Sequence, residues 1–385
     1  MKIGIEAQRI FRHKKHGMDI YALELIRNLQ AIDQLNQYYI FVRPGEDKCL
    51  EETANFKIIE IKALTYADWE QIQLPLVASK LDLDVLHCTS NTAPIFAPAP
   101  LYVTIHDIIY LNQAYGGGSW YQKLGHYYRK WIVPIVFEKA KKVFTVSNFE
   151  KREINEHFGE TEKVEVIYNG VSDKFYPQSP DRIGSIRVKY HLPYKFIFFL
   201  GNTAPKKNLP GMLKAYAQYI KNDLTPLPLV IAEIGETELK NHLREIEEPD
   251  LFEHITLTGY IPQEDLPALY SAASLFMYPS LRESFGIPII EAMICSTPVI
   301  TSNTSSMPEI GHEYADYIDP NNPSAIADKM SEVLTRNTNT KVEAEKLDYA
   351  SSFKWQATAR KMTNFYFNKN VDYVLLTERL SAESA

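Results

Sequence analysis

The stretch PSLRESFGIPIIEAM, Pro279–Met293, decides the fold of the second half of this chain. The apolar run at 273–278 directly before it predicts a buried parallel strand. Gly286 lets the backbone turn sharply without projecting a side chain into the space above the turn. Pro288 suits the start of a helix, where its missing N–H would have no partner in any case. The sequence therefore predicts a strand, a tight loop and a helix that begins near Ile287.

Two acidic residues flank this turn. Glu283 lies in the predicted loop, and Glu291 lies in the first turn or so of the predicted helix. Both are expected at the carboxyl end of a parallel sheet, which is where open α/β sheets bind nucleotides. Without further context, two solvated acids near a helix start would be an equally simple interpretation.

The spacing of Glu283 and Glu291 around Phe-Gly-Ile-Pro resembles the E-x7-E signature of the retaining glycosyltransferases of family GT4, which have the GT-B fold. The resemblance implies that Glu291 accepts hydrogen bonds from the ribose of a nucleotide sugar and that Glu283 binds hydroxyls of the sugar. It also places the intervening residues against the donor: Ser284, Phe285, Gly286 and Ile287.

Composition sets the frame for this interpretation. The chain has 385 residues, with 45% hydrophobic and 23% charged residues, which is enough for two cores and ordinary for a globular protein. Its formal net charge of −7 does not suggest a nucleic-acid partner. Three widely spaced cysteines predict reduced thiols. With no signal-like start and no long apolar run, the expected location is cytoplasmic, or peripheral at the inner membrane face.

Strand-like and helix-like segments alternate along most of the chain, which predicts α/β architecture with parallel sheets. The resemblance extends this to a GT-B fold, in which two Rossmann-like doubly wound domains face each other across a cleft. We expect an acceptor-side domain at 1–180, a nucleotide-sugar donor domain at 181–352, and a C-terminal helix and tail at 353–385 that crosses back to the first domain.

A basic loop follows the first predicted strand and ends at Gly17, just before an amphipathic helix. A glycine at that point allows a phosphate to approach backbone N–H groups at the positive end of the helix dipole. A plain turn glycine fits the sequence as well. In the family this loop lies under the donor diphosphate, so the resemblance makes Gly17 a candidate donor contact.

His106 and Asp107 stand where the strand predicted at 101–105 meets a loop. A histidine there could be a satisfied structural residue or part of a site. The pair resembles the family's histidine that contacts the donor sugar, which makes His106 a candidate catalytic residue.

The second domain opens with an apolar strand that ends at Gly201, followed by a loop that carries Lys206 and Lys207 and then a helix. This order predicts an anion site, because a lysine ammonium and a helix start both favour phosphate. The segment resembles the family's Gly-x-x-x-Pro-basic-Lys-Asn loop, which assigns Lys207 to the diphosphate. Many members have an arginine where this chain has Asn202, so either Lys206 substitutes for it or the diphosphate is held less tightly.

Three further segments carry weaker expectations. In the family, a strand and turn like that at 255–262 contacts the nucleotide base, which makes Tyr260 and Ile261 candidates beside simple turn packing. The glycine-rich segment at 116–119 could move over an acceptor. The aromatic and basic segment at 120–143, bent or broken at Pro134, could be a core helix or a helix at a membrane interface.

These features predict a metal-independent hexosyltransferase with no cofactor, because a site in which lysine binds the diphosphate needs no metal ion. The donor would be a nucleotide-diphosphate sugar, with GDP-mannose first and a UDP-sugar second, since the motifs look most like bacterial mannosyltransferases of the family. The acceptor would be a glycan or a lipid-linked saccharide in cell-surface polysaccharide biosynthesis. The alternatives are a sugar phosphorylase of the same fold and a non-catalytic nucleotide-sugar binding protein.

Overall fold

Short apolar strands alternate with amphipathic helices in the computed structural model, which describes residues 1–112, 120–201, 203–337 and 339–367, without side-chain detail at 112 and 120–122. The predicted acceptor loop at 116–119, the residue at 202 and the tail after 367 lie outside the described residues. The chain divides into two compact units. The first consists of Met1–Gly170 and the segment from Trp355 onward, and the second is Val171–Lys354. The predicted domain limits at 180 and 352 remain a prediction.

The first unit is built on a parallel sheet of seven strands in the order β3-β2-β1-β4-β5-β6-β7. The strands are β1 (Lys2–Glu6), β2 (Gln37–Val42), β3 (Phe56–Glu60), β4 (Val85–Cys88), β5 (Leu101–Thr104), β6 (Lys142–Thr145) and β7 (Val164–Val166). Its helices up to the first boundary are α1 (Gly17–Ile32), α2 (Tyr66–Asp68), α3 (Leu74–Ala78), α4 (Ile109–Asn112), α5 (Trp120–Lys139) and α6 (Asn148–Phe158), and a π-helical turn at Trp69–Gln73 joins α2 to α3.

The second unit contains a parallel sheet of six strands in the order β10-β9-β8-β11-β12-β13. The strands are β8 (Ile197–Leu200), β9 (Leu229–Ala232), β10 (Ile255–Gly259), β11 (Leu275–Tyr278), β12 (Val299–Ser302) and β13 (Asp316–Ile318). The helices are α7 (Pro180–Tyr190), α8 (Leu209–Asn222), α9 (Glu236–Glu245), α10 (Leu266–Ala272), α11 (Ile287–Ile294), α12 (Met307–Gly311), α13 (Pro323–Thr335) and α14 (Thr340–Ser351), with 3-10 turns at Pro205–Lys207, Pro249–His254 and His312–Tyr314.

The last described helix, α15 (Trp355–Tyr366), belongs to the first unit, as the fold prediction requires. Trp355, Met362 and Tyr366 share a buried core with residues of α1 and β1. The Tyr366 hydroxyl lies 2.6 Å from Nδ1 of His87, whose Nε2 lies 2.8 Å from the Thr104 hydroxyl. Burial lowers the pKa of His87 to about 3, so this histidine is a neutral structural residue. The chain thus returns to the first unit after completing the second.

Pro134 was predicted to bend or break the segment at 120–143. Helix α5 runs through Pro134 without a break, from Trp120 to Lys139. Its inward residues, which include Ile132, Val133 and Val136, are fully buried in the core. The core interpretation therefore describes one face of this helix.

Candidate functional site

The second sheet has its topological switch point between β8 and β11, because strand order runs outward in opposite directions from this pair. Ligands of open α/β sheets bind at the carboxyl end of the strands at such a point. The loop after β8 carries Lys206 and Lys207, and the loop after β11 carries Glu283. The residues predicted for a diphosphate and a sugar therefore lie on the two loops that fold topology favours.

Lys207 and Glu283 are in direct contact. The Lys207 ammonium lies 2.6 Å from Oε1 of Glu283 and donates a second hydrogen bond, 2.9 Å long, to the Tyr278 hydroxyl. The Lys207 side chain is only 17% exposed, whereas Lys206 is 46% exposed and stays 3.9 Å from the same carboxylate. The two lysines, adjacent in sequence, are thus unequal, and Lys207 is the one built into the site.

The Lys207 ammonium has three N–H donors, and the contacts with Glu283 and Tyr278 use two of them. A third donor is available for a phosphate oxygen. Burial lowers the pKa of Lys207, while the neighbouring Glu283 carboxylate opposes that shift. Glu283 consequently both orients the ammonium and favours its charged form.

Hydrogen bonds fix the loop that carries Glu283. The Leu281 amide donates to the Lys206 carbonyl at 2.7 Å, which ties the two site loops together. The Glu283 amide donates to the Ser305 hydroxyl at 3.0 Å, and the buried Ser306 hydroxyl donates to the carbonyl of Glu283 at 2.8 Å. The hydroxyls of Ser305 and Ser306 thus hold this loop in place.

Glycines at both loops are required by geometry. A Cβ on Gly201 would lie 2.2 Å from the Ala232 carbonyl oxygen, so no side chain fits there. Gly286 has a φ of +105° and immediately precedes α11, which begins at Ile287 as predicted. Close packing therefore explains the glycine at 201, and the positive φ explains the glycine at 286, independently of any ligand.

Glu291 lies on α11 and accepts a hydrogen bond of 3.1 Å from the Tyr270 hydroxyl. Burial raises the pKa of Glu291 to about 7, although the Tyr270 hydrogen bond opposes the shift. The carboxyl group is therefore divided between its acid and carboxylate forms near neutral pH. The charge of Glu291, a residue predicted for the nucleotide, therefore responds to pH in the physiological range.

The other predicted donor contacts differ in what they can offer. Tyr260 is 73% exposed and follows Gly259, which has a φ of +68°, so its ring is accessible to a base. Ile261 and Phe285 are buried, and the Phe285 ring packs edge to face against Phe353 at 6.1 Å. Those two residues could contact a ligand chiefly through their backbone. Two other predicted donor contacts, Ser284 and Ile287, are partly exposed. Asn202 lies outside the described residues.

In the first unit, His106 is buried and held from two directions. Its Nε2 lies 2.8 Å from the Thr89 carbonyl, and its amide donates to Oδ1 of Asn91 at 2.6 Å. Burial lowers the pKa of His106, which favours the neutral ring. A carbonyl only accepts hydrogen bonds, so Nε2 carries the proton and Nδ1 is left with a lone pair. Such a ring can accept a hydrogen bond from a hydroxyl.

We expect His106→Ala to lower the rate of sugar transfer more than it weakens binding of the free nucleotide. The physical reason is that the His106 ring offers an acceptor to a hydroxyl of the transferred sugar, which the free nucleoside diphosphate does not carry. Transfer kinetics and calorimetric titration with the nucleoside diphosphate measure the two effects. The reverse pattern would argue against a sugar contact.

Gly17 is the first residue of α1, and apart from its chain neighbours no described residue lies within 4 Å of the Cβ that a larger residue would add there. Packing therefore does not explain this glycine. We expect Gly17→Ala to keep or raise the melting temperature, since alanine favours helix by up to about 1 kcal/mol. If the glycine admits a diphosphate, the same change should weaken nucleotide binding about tenfold, or roughly 1.4 kcal/mol. Unchanged affinity would identify a turn glycine.

Two buried carboxyl groups in the first unit were not anticipated. Glu6 ends β1 and accepts the Gln8 amide at 2.8 Å, and Glu70 lies in the π-helical turn, where the Tyr66 and Tyr128 hydroxyls donate to it. Burial raises the pKa of both groups. An acid directly after an apolar strand was the available signal for Glu6. Nothing in the sequence marked Glu70, because its partners Thr92 and Tyr128 are distant along the chain.

An Asp-Leu-Asp sequence at Asp82–Asp84 has the spacing of a metal-diphosphate clamp, but it precedes β4. Its Asp84 carboxylate accepts the Lys2 amide at 2.7 Å, at the amino edge of the first sheet. Nucleotides bind at the opposite edge. The expectation of a metal-independent reaction stays a prediction.

Comparison with solved structures places this geometry in a known class. HepE from Anabaena, solved in complex with UDP, superimposes with a TM-score of 0.72 at 18% identity, over 95% of this chain and 99% of that one. At that identity the likeness shows the fold, which is GT-B: α/β, with two Rossmann-like units. The class of protein that the fold and the candidate site define is thus the GT-B class.

Two family descriptions match consecutive parts of the chain: Glycosyltransferase Family 4 at residues 16–175 and Glycosyl transferases group 1 at 186–351. The chain belongs to the family 4 glycosyltransferases. It is 32% identical over 232 residues to O-antigen chain mannosyltransferase B of Escherichia coli, across 60% of this chain and 61% of that protein. It is also 33% identical to the serotype-specific mannosyltransferase WbdA of Escherichia coli, across 58% of this chain and 28% of WbdA. The chain therefore matches less than two thirds of either relative.

Proposed function

We propose that this protein is a retaining glycosyltransferase that moves a hexose from a nucleotide-diphosphate sugar to a glycan or lipid-linked saccharide, in cell-surface polysaccharide biosynthesis. The contact between Lys207 and Glu283 carries the proposal, since it sets a cation and a hydroxyl-binding carboxylate side by side at the switch point of the second sheet. Membership of family 4 supports the same activity.

In the proposed reaction the free N–H donor of Lys207 binds the leaving diphosphate. Most of the rate gain comes from positioning and from stabilising the charge that develops as the bond to the sugar breaks. Glu291 accepts hydrogen bonds from the ribose, and Glu283 binds sugar hydroxyls with its second oxygen. In the first unit the proposed sugar contact is His106. No residue is assigned as a covalent nucleophile.

Mannose from GDP-mannose is our first proposal for the donor, because both Escherichia coli relatives are named mannosyltransferases. A UDP-sugar is the second, because HepE was solved with UDP. Thermal-shift measurements with GDP, UDP and other nucleoside diphosphates discriminate between them, since a ligand at 100 times its Kd stabilises the folded state by about 2.7 kcal/mol. We expect the largest shift with GDP, and transfer from GDP-mannose.

The alternatives give different results in the same assays. A sugar phosphorylase would release sugar phosphate without any nucleotide, and a non-catalytic protein would bind a nucleotide tightly without transfer or hydrolysis of any donor. Either result with correctly folded protein would contradict the proposed function.

We also propose that α5 contacts the membrane that bears a lipid-linked acceptor. Leu124, Tyr127 and Trp131 are exposed, with Trp131 at 65%, and their spacing of three and four residues puts them on one helix face. Lys123 and Lys130 lie next to this apolar stripe. Exposed aromatics beside lysines suit an anionic lipid surface. None of the described helices is long and apolar enough to span a bilayer.

Vesicles of phosphatidylcholine with and without phosphatidylglycerol test this contact. We expect binding only with the anionic lipid, a blue shift of tryptophan fluorescence, and loss of binding in Trp131→Ser with Lys130→Glu. Leu224→Ser, which changes an even more exposed apolar residue of the second unit, is the control. Equal binding by the α5 variant and the control would contradict the proposal.

A further inference from the structure

A basic cavity lies in the first unit, at the carboxyl edge of its sheet. It has a volume of about 230 Å³ and is formed by the loop after β1 and the loop after β2. The residues that carry its polar chemistry are Gln8, Arg9, Arg12, His13, Arg43 and Glu46. Three arginines and a histidine thus share this cavity with one acidic residue.

The two loops are built against each other. The Arg43 amide donates to the Gln8 carbonyl at 3.1 Å, and the Asp47 amide donates to the Phe11 carbonyl at 3.3 Å. A Cβ on Gly45 would lie 2.2 Å from that same carbonyl oxygen, so the loops approach more closely than any side chain at 45 would allow. The cavity is therefore a packed feature of the fold and not a gap between surface loops.

Positive charge in the cavity is only partly neutralised. Arg9 pairs with Asp19 at 2.9 Å. Arg43 instead donates to a neutral acceptor, the Ala63 carbonyl, at 2.9 Å. The Arg12 side chain is exposed. Arg12 and Arg43 thus have no ion-pair partner among the described residues, whereas Arg9 is paired with Asp19.

Two buried hydrogen-bond donors beside the cavity have no partner among the described residues. One is Nε2 of Gln8, a residue only 4% exposed, and the other is Nη2 of Arg9. A buried donor without an acceptor destabilises the fold, and the oxygens of an anion would satisfy it. Guanidinium groups also match the oxygens of phosphate in a bidentate geometry. A ligand that suits these donors is an anion with several acceptor oxygens.

We propose that this cavity binds a phosphate group on the acceptor substrate. This inference rests on the proposed transferase function. The volume is below the ~300 Å³ at which pockets begin to enclose drug-sized ligands, so the cavity suits a phosphate with at most part of a sugar and is too small to enclose a whole nucleotide. The nucleotide is assigned to the second unit, where Lys207 and Glu291 lie. A phosphate-bearing acceptor, either a soluble sugar phosphate or a lipid phosphate, supplies the required chemistry.

Calorimetric titration of the full chain with inorganic phosphate, in the presence of saturating nucleoside diphosphate, tests the site. We expect binding with a Kd on the order of 1 mM, weakened at least ~10-fold in Arg12→Glu. Arg12 is exposed, so this variant is expected to fold. Arg360→Glu is the matched control, because it changes the same charge on an exposed arginine of α15. It should bind phosphate like the unmodified protein.

In transfer assays, Arg12→Glu should raise KM for a phosphorylated acceptor about tenfold or more, with the Kd of the nucleotide unchanged. Parallel assays with a soluble sugar phosphate and with a lipid phosphate in micelles identify which source the site uses. Equal phosphate binding by Arg12→Glu and Arg360→Glu would overturn the proposal, as would displacement of phosphate by the nucleoside diphosphate. Phosphate binding without transfer from any donor would instead contradict the transferase function.

Discussion

Replacing Lys207 with alanine is expected to lower the rate of sugar transfer at least ~100-fold, the range observed when one charge-stabilising donor is removed from an active site. Two of the three N–H donors of the ammonium bind Glu283 and Tyr278. We propose that the third binds the leaving diphosphate. Single-turnover transfer measured at saturating donor isolates this effect from donor binding.

Lys206→Ala is the matched control, because it removes the same side chain from the neighbouring position. Lys206 is more exposed and lies 3.9 Å from Glu283, so a loss of less than about tenfold is expected there. The Lys207 variant also leaves the buried Glu283 carboxylate without its closest cation, so its melting temperature must be measured in parallel. Near-normal transfer by folded Lys207→Ala would remove Lys207 from the site.

The local order of elements around this site could be predicted from the sequence. An apolar run, a glycine, a short loop and a helix start are encoded by neighbouring residues, and both Gly201 and Gly286 occupy the turns that their neighbours predict. The position at the switch point follows once the strands are known to be parallel. The resemblance to family GT4 then supplied the roles.

Contacts between distant residues could not be predicted in this way. Lys207 and Glu283 are brought together by two strands that are adjacent in the sheet but far apart along the chain. The cavity beside Gln8 likewise needs the loop after β2 to close against the loop after β1. Burial is also a property of the assembled fold, which is why the environment of Glu291 was invisible in a sequence that showed only an acid near a helix start.

Glu291→Ala is expected to lower transfer at least ~100-fold, because it removes the proposed acceptor for the ribose hydroxyls. The alanine variant also leaves the Tyr270 hydroxyl without its carboxylate partner. Its effect should appear in nucleotide affinity as well as in rate, which distinguishes Glu291 from His106. Normal affinity of the folded variant for the nucleoside diphosphate would contradict the assignment.

The pH dependence of nucleotide binding provides the sharper test of Glu291. Burial raises the pKa of this carboxyl group to about 7, and only its ionised form accepts hydrogen bonds from both ribose hydroxyls. If the carboxyl group must lose its proton before the ligand binds, the affinity for the ligand rises with pH below the pKa of the group. Above that pKa the affinity levels off. With a pKa of about 7, the apparent Kd should be about tenfold higher at pH 6 than at pH 8.

Calorimetric titrations of the nucleoside diphosphate at pH 6, 7 and 8 measure this dependence, and Glu291→Gln is the matched variant, since its amide keeps the size of the side chain but does not titrate. Its affinity should be weaker at pH 8 and should change across the range only as far as the ionisation of the ligand itself requires. The second phosphate ionisation of the ligand, with a pKa near 6 for phosphate monoesters, contributes equally to both proteins and cancels in their ratio. A ratio that stays constant with pH would show that the Glu291 carboxylate is not the group that holds the ribose.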